Sequence, residues 1–306
     1  MSASTIPPYS REATVAAVRD YYALLTDMYL DPADVLSPPP PPSGGDRDGG
    51  WPSSTIDRLE CMGKTTSVLD LLRHLPYIRG EEDDGPQAGV PGCHFADWRH
   101  LAQTTSGDNE NGPDGHSLRE CSEPVELVER DVIPPYVIGL TYGGRENPTF
   151  LLDTRRGIVH WYECPDGIRY NSPQAVTDVD DPFDWADTPE EEAEWRAEHP
   201  AWSVTYLFEI LKKQLLELRY VPVGSPSRAV LYSDDDDAEE ELAGLVAAVR
   251  AIYQRHGWPD RGSFDKEACL REVKRLVKEE YPDHDFLYDE DEDEEEEEDS
   301  EEDGEE

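Results

Sequence analysis

Cysteine is scarce in this sequence, and no two cysteines stand close together. The five cysteines, Cys61, Cys93, Cys121, Cys164 and Cys269, are odd in number and never form a C-x-x-C pair. A disulfide framework or a zinc ribbon would need paired or closely spaced cysteines. The spacing therefore favours free thiols in a reducing compartment, and we expect the chain in the cytoplasm, the nucleus or both.

Basic residues and long apolar runs are also in short supply. Lysine and arginine number 27 against 70 aspartates and glutamates, which gives a net charge of -43 at pH 7. Such a charge repels phosphate groups, so we expect neither nucleic acid nor a membrane surface as a partner. The sequence has no run of about 18 apolar residues that could span a bilayer. Residues 1–20 lack the basic and apolar segments of a secretory signal.

The acidic residues concentrate at the C-terminus. Residues 289–306 hold sixteen Asp and Glu in eighteen positions, and the rest of the chain still has a net charge of -27. A run of this density cannot bury a core, so we predict a disordered acidic tail over residues 282–306. The tail either binds basic proteins or only keeps the chain in solution.

Apolar spacing predicts both helices and strands in the body of the chain. Residues 10–30, 65–78, 203–219 and 264–281 carry apolar side chains three or four positions apart, as amphipathic helices do. Residues 133–163 contain the strand candidates YVIGLTY, FLLD and IVHWY, whose β-branched and aromatic residues favour a sheet. We therefore predict an α+β fold with a small antiparallel sheet flanked by helices.

Segments rich in proline and glycine divide that fold. The stretch SPPPPPSGGDRDGG favours neither helix nor strand. Residues 79–124 are rich in Gly, Asp, Asn and Pro, which indicates a mostly disordered, flexible insertion with a short ordered piece around 93–103. The predicted units are an N-terminal helix that packs on the body (1–36), a Pro/Gly linker (37–50), a main α+β domain that carries the insertion (51–281) and the acidic tail (282–306).

The segment GGRENPTFLLDTRRGIVHWYEC, residues 143–164, is where a phosphate loop or a catalytic aspartate would be sought. The glycine pair at 143–144 matches neither G-x-x-x-x-G-K-[ST] nor G-x-G-x-x-G, and a strand follows it instead of a helix. Gly157 indicates a hairpin turn, across which Asp153 can accept backbone N–H bonds. We predict a hairpin in which Asp153 forms the turn.

Other patterns of catalysis and metal binding are missing from the sequence. It has no G-x-S-x-G motif, and the cysteines and histidines between 93 and 121 lack the paired spacing of zinc ligands. We therefore predict no catalytic residue, no cofactor and no metal, and the sequence implies no small-molecule ligand. A deep pocket that gathers Asp153, His160 and Glu163 with shifted pKa values would instead favour an enzyme.

Three arginines near the turns of the predicted sheet are the candidate partner contacts. Arg155 and Arg156 lie at the tip of the hairpin, and Arg145 follows the glycine pair. Basic residues on an acidic chain either contact a partner or pair with local carboxylates. The three arginines are therefore hypotheses for a protein interface.

Three segments carry a resemblance to a known family: IPPYVIGLTYGG (133–144), FLLDTRRGIVHWY (150–162) and WSVTYLFEILKKQLLEL (202–218). Together they resemble the SUKH superfamily, which includes fungal cell-wall-assembly regulators and bacterial toxin-immunity proteins. Asp153, Gly157 and Ser203 match places of the family pattern, whereas Tyr142 stands where the family has asparagine. The chain also resembles fungal proteins that carry LLRHLPYI and GWP segments, and that likeness implies no activity.

The SUKH resemblance implies an α+β interaction module with a small antiparallel sheet and no catalytic residues. We therefore expect a non-catalytic intracellular module that binds proteins, basic ones among them, as a SUKH-like scaffold or regulator. Two alternatives stay open. One is an acidic chaperone-like protein that binds basic proteins through its C-terminal tail, and the other is an enzyme of a class that the sequence does not reveal.

Overall fold

The structure is a computed structural model that describes eight ranges of the chain. They are residues 8–41, 49–79, 90–104, 114–142, 148–172, 188–223, 230–232 and 240–282. The acidic tail from residue 283 onward and Arg145 lie outside these ranges. What the sequence predicts for them therefore stays a prediction.

Helices and short strands alternate along the described residues. The helices are α1 (Arg11–Met28), α2 (Ser53–Ile56), α3 (Thr66–His74), α4 (Trp98–Thr104), α5 (Gly115–Glu120), α6 (Val125–Glu129), α7 (Asp166–Arg169), α8 (Glu190–Glu198), α9 (Val204–Leu216), α10 (Glu240–Arg255) and α11 (Lys266–Glu280). The strands are β1 (Val35–Leu36), β2 (Tyr77–Ile78), β3 (His94–Phe95), β4 (Val137–Gly139), β5 (Thr141–Tyr142), β6 (Thr149–Asp153), β7 (Ile158–Tyr162), β8 (Ala201–Ser203), β9 (Tyr220–Pro222) and β10 (Val230–Tyr232). None of these helices is both long and apolar enough to cross a bilayer. The predicted α+β class is confirmed.

The main sheet has four antiparallel strands in the order β4–β6–β7–β8. Strands β6 and β7 form the predicted hairpin, with Asp153 opposite Ile158. In the turn, Gly157 has a φ of 71°, a left-handed conformation that glycine adopts without steric strain. The small antiparallel sheet predicted from residues 133–163 is confirmed. Strand β8 extends it, although the sequence predicted no strand there and placed Ser203 at the start of a helix.

The two faces of the sheet meet different helices, because side chains alternate along a strand. Phe150 of β6 packs through Phe95 toward Phe208 of α9, with ring centres 6.1 and 6.4 Å apart. Tyr21 of α1 packs against both Phe95 and Phe208, with ring centres 5.8 and 5.5 Å apart. Leu151, the next residue of β6, shares the second core cluster with Trp195 of α8. The sheet thus lies between α9 with α1 on one face and α8 on the other.

Part of the stretch predicted to be a flexible insertion is folded into the body. The short ordered piece expected around 93–103 is present as β3 and α4, and residues 114–124 add α5. Phe95, Trp98 and Leu118 are each at most 8% exposed. The prediction over 79–124 is corrected for these ranges, because a few buried aromatic and aliphatic side chains outweigh a composition rich in Gly, Asp and Pro. Residues 80–89 and 105–113 lie outside the described ranges.

Hydrogen bonds join the C-terminal part of the described chain to helix α1 and helix α9. The Lys266 ammonium of α11 donates to the carbonyl oxygens of Thr26 (2.8 Å) and Leu30 (2.7 Å). The indole N–H of Trp258 donates to the Leu215 carbonyl of α9 over 3.0 Å. Strands β9 and β10, which the sequence did not reveal, pair beside these helices in a small ladder of their own. The two ends of the described chain therefore share one core.

Candidate functional site

The turn between β6 and β7 is shaped by Asp153. Its Oδ1 accepts hydrogen bonds from the backbone N–H groups of Arg155 (2.8 Å) and Arg156 (2.9 Å). The Gly157 N–H donates to the Asp153 carbonyl oxygen over 2.9 Å. The predicted turn-forming role is confirmed. The carboxylate is also fully buried, which the sequence did not indicate.

The predicted partner contacts fall into different environments. Arg155 is exposed, and its guanidinium carbon lies 5.4 Å from the centre of the Tyr136 ring. Arg156 is partly buried and lies 3.7 Å from Asp153 Oδ2. Arg145 lies outside the described residues. Partner binding stays a prediction for all three arginines.

Arg196 of α8 joins this hairpin to the helix that covers it, in a cluster that we call the Arg196 network. Its Nη2 lies 2.8 Å from Asp153 Oδ2 and 2.9 Å from Glu192 Oε1, and its Nη1 lies 3.1 Å from His160 Nε2. The contact with Asp153 is poorly aligned for a hydrogen bond, so it is mainly electrostatic. The Tyr136 hydroxyl completes the network by donating to Glu192 Oε1 over 2.9 Å. Asp153, His160 and Arg196 are fully buried.

The network holds His160 in its neutral form. Burial, and secondly the charge of Arg196, keeps the pKa of His160 well below its usual value. A neutral His160 can accept a hydrogen bond at Nε2 from the Arg196 guanidinium. Glu163 is exposed, two residues beyond Trp161 on the hairpin. Asp153, His160 and Glu163 therefore do not converge on one pocket, and Asp153 and His160 are joined by an arginine that cannot exchange protons at neutral pH.

A cleft of about 440 Å³ adjoins the Arg196 network. It lies where the start of α3, helix α5, the loop after α6 and the start of α8 meet, and we call it the Lys64 cleft. The lining residues are Met62, Gly63, Lys64, Arg119, Asp131, Val132, Ile133, Pro134, Pro135, Pro189, Glu191 and Glu192. Glu192 thus belongs both to the network and to the cleft. This volume is in the range of small-ligand sites.

A chain of ion pairs forms the polar side of the Lys64 cleft, and we call it the Arg119 cluster. The Lys64 ammonium makes a short contact with Glu123 Oε1, and both side chains are almost completely buried. Arg119 donates from Nε to Glu123 Oε2 (3.0 Å) and from Nη1 to Asp131 Oδ1 (3.1 Å). Burial lowers the pKa of Lys64, while the charge of Glu123 opposes that shift. The cluster ties α5 and the loop after α6 to the start of α3.

A second depression of about 290 Å³ runs along α9. Tyr206, Ile210 and Gln214 recur along one wall of this α9 groove. Its lining residues are Gly167, Asn171, Ser172, Tyr206, Glu209, Ile210, Lys213, Gln214 and Arg219. Tyr170, between two of these residues in sequence, is 73% exposed. The groove and its exposed aromatic ring are typical of a surface that contacts other molecules.

The thiols and histidines considered for metal binding are separated. All five cysteines are free thiols. Burial raises the pKa of Cys93 and Cys164, and that of Cys269 to about 12, so these three thiols are poor nucleophiles at neutral pH. Across the described ranges, His, Cys, Asp and Glu form no group of three that could hold a metal ion.

Sequence reasoning missed both ionic clusters. Glu192 and Arg196 are four residues apart in α8, a spacing at which side chains of a helix pair. Lys64 and Glu123 are 59 residues apart, and no local pattern links them. Neither family models, nor curated proteins, nor solved structures match this chain. The SUKH resemblance stays a prediction, and function rests on the sites themselves.

Proposed function

We propose that this chain is a non-catalytic protein-interaction module, a SUKH-like scaffold or regulator, and that partners bind in the α9 groove. One observation carries the proposal. The Gln214 side chain lines the groove and is only 5% exposed, and its Oε1 meets no hydrogen-bond partner among the described residues. Its Nε2 donates to the Ile210 carbonyl oxygen over 3.5 Å. The amide nitrogen therefore has a partner, and what the side chain lacks is a donor to its oxygen.

An unmet buried amide oxygen is unfavourable, and a bound partner removes that cost. Leaving such an acceptor unpaired costs about 1–3 kcal/mol. A backbone N–H from an extended segment of a partner protein supplies the missing donor. The groove, which spans little more than two turns of α9, suits a short segment of this kind.

An exposed tyrosine stands next to the groove in the sequence. Tyr170 is 73% exposed and lies between Gly167 and Asn171, which both line the groove. Tyrosine is enriched among the residues that dominate binding energy, because its ring buries a large area at little entropic cost. This side chain supports a protein partner in preference to a small molecule.

The Arg196 network supports the non-catalytic part of the proposal. Asp153 is used by two turn N–H groups and by Arg196, and His160 is held neutral beside the same guanidinium. Groups used in this way stabilise the contact between hairpin and helix. They are poorly placed to move protons on a substrate.

Charge and thiol chemistry support the class of partner and the compartment. A net charge of -27 outside the last eighteen residues steers basic proteins toward the chain. Five free thiols suit the reducing cytoplasm or nucleus. We propose both compartments and a partner with a basic surface.

The test compares partners captured by full-length variants in cell extract, identified by mass spectrometry and then confirmed with purified protein. Gln214→Leu and Tyr170→Ala should each lose a partner that the wild-type chain retains. Arg271→Ala on α11, whose side chain is 72% exposed and does not line the groove, is the matched control and should keep it.

A chain that ends at Pro282 separates the groove from the acidic tail. The proposal expects the same partner to bind this truncated chain at moderate salt. Partners that ignore both groove variants and disappear with the tail would overturn the proposal and favour the acidic chaperone-like alternative.

A further inference from the structure

The Arg119 cluster leaves hydrogen-bond donors unused at the Lys64 cleft. Arg119 uses Nε for Glu123 and Nη1 for Asp131. Its Nη2 is buried and meets no hydrogen-bond partner within the described ranges. The Lys64 ammonium has three N–H groups, and Glu123 Oε1 is the acceptor that the described residues give it. Both cations line the cleft.

The charges of the cluster are unequally buried. Lys64 and Arg119 share Glu123, whose side chain is 0% exposed, so these three groups carry one net positive charge. Asp131 balances that charge, but its side chain is 83% exposed. An exposed ion pair of this kind contributes little to stability, so a ligand can displace the Asp131 carboxylate from Arg119 at little cost.

The other two charged side chains that line the cleft, Glu191 and Glu192, do not pair with Lys64 or Arg119. Glu192 accepts hydrogen bonds from Tyr136 and Arg196, and Glu191 is exposed to water. Helix α8 begins at the cleft, and the positive end of its dipole favours an anion there. Met62, Ile133, Pro134 and Pro135 supply apolar walls.

We propose that the Lys64 cleft binds a carboxylate group of a ligand, which takes the place of Asp131 on Arg119. Asp131 marks the position, because its own carboxylate already occupies one nitrogen of the guanidinium. The ligand's two oxygens bond to Nη1 and Nη2 as a planar pair, the geometry that a guanidinium offers. The hydrocarbon part of the ligand lies against the proline and isoleucine walls.

A single carboxylate fits this cleft better than phosphate does. One net positive charge at the floor matches one negative charge. A dianion would also meet Glu191 at the rim and the overall negative charge of the chain. Carboxylates of this kind occur in small organic acids and at the C-termini of peptides. The site is separate from the α9 groove, so either proposal can fail without the other.

The experiment follows the backbone amide resonances of Val132 and Ile133 by NMR while acetate is added to the full-length chain. Asp131→Asn should bind acetate about two- to fivefold more tightly, because the competing carboxylate is gone. Asparagine also tolerates the φ of 52° at this position. Arg119→Lys keeps the charge but loses the planar pair, and should bind at least about tenfold more weakly.

Chloride and phosphate serve as comparison anions. Acetyl-Ala-Ala with a free or an amidated C-terminus distinguishes a peptide C-terminus from a small organic acid as the source of the carboxylate. A peptide source is supported if the free form binds more tightly than acetate and the amidated form does not bind. A small-acid source is supported if acetate binds at least as tightly as the free peptide. Shifts no larger than those from chloride, tighter binding of phosphate, or weaker binding by Asp131→Asn would each overturn the proposal. Because Asp131→Asn removes no buried charge, it keeps the test valid even if Arg119→Lys does not fold.

Discussion

Arg196 and Arg119 are each bound by two carboxylates, yet the two clusters differ in how far they are closed. The Arg196 side chain is 0% exposed, as is that of Asp153, and His160 occupies a further nitrogen. The Arg119 side chain is 16% exposed, and one of its two carboxylates, Asp131, is 83% exposed. An arginine bound by two carboxylates therefore has a different role in each cluster. The closed cluster holds a hairpin against a helix, and the open one can exchange a counter-ion for a ligand.

The largest expected effect comes from breaking the closed cluster. Arg196→Met leaves Asp153 and Glu192 buried without their cation, and should lower the free energy of unfolding by about 3–5 kcal/mol. Urea unfolding followed by tryptophan fluorescence measures the change. Arg119→Met is the matched variant and should cost less, because Glu123 keeps Lys64 and Asp131 is exposed. Equal losses would contradict the distinction between the two clusters.

A pH titration sharpens the description of the closed cluster. The folded pKa of His160 lies below its usual value of 6.5, so the unfolded chain binds a proton there that the folded chain does not. Stability from this group is complete above pH 6.5 and falls as the pH drops below it, by about 1.4 kcal/mol per pH unit. His160→Gln should remove this part of the acid slope. An unchanged slope in the variant would show that His160 is not held neutral.

The smallest expected effect is at the edge of the closed cluster. Tyr136→Phe removes one donor from Glu192, which keeps Arg196, and should cost about 1 kcal/mol of unfolding free energy. The same unfolding experiment measures it, with Tyr170→Phe as the exposed control that should cost nothing measurable. A loss as large as that of Arg196→Met would mean that the hydroxyl, and not the guanidinium, organises the network.

The sequence predicted the parts of this fold that local patterns determine. Helix α1 lies within residues 10–30, where apolar spacing predicts it, and the Ser10 side chain that precedes it accepts a hydrogen bond from the Ala13 N–H over 3.2 Å. The β6–β7 hairpin followed from apolar strand residues and Gly157. Phe95 and Trp98 were harder to place, because their neighbours are typical of loops while their anchoring contacts come from distant helices.

Neither candidate site could be predicted in the same way. Arg196 meets Asp153 only after the chain returns from the hairpin to α8, and Glu123 meets Lys64 only when the residues after α5 pack near the start of α3. Long-range ion pairs have no periodicity, and a charge in sequence does not reveal whether it will be buried. The turn-forming role of Asp153 was predictable because the residues that it binds are its neighbours.

One matched pair of substitutions tests the central claim most directly. Asp153→Asn and Asp131→Asn make the same chemical change beside Arg196 and Arg119, and urea unfolding at pH 7 compares them. We expect a loss of about 3 kcal/mol or more for Asp153→Asn, where a buried cation loses one of its two carboxylates. Asp131→Asn should lose at most about 1 kcal/mol, because its ion pair is exposed. Equal losses, or a larger loss at Asp131, would contradict the division into a closed structural cluster and an open binding one.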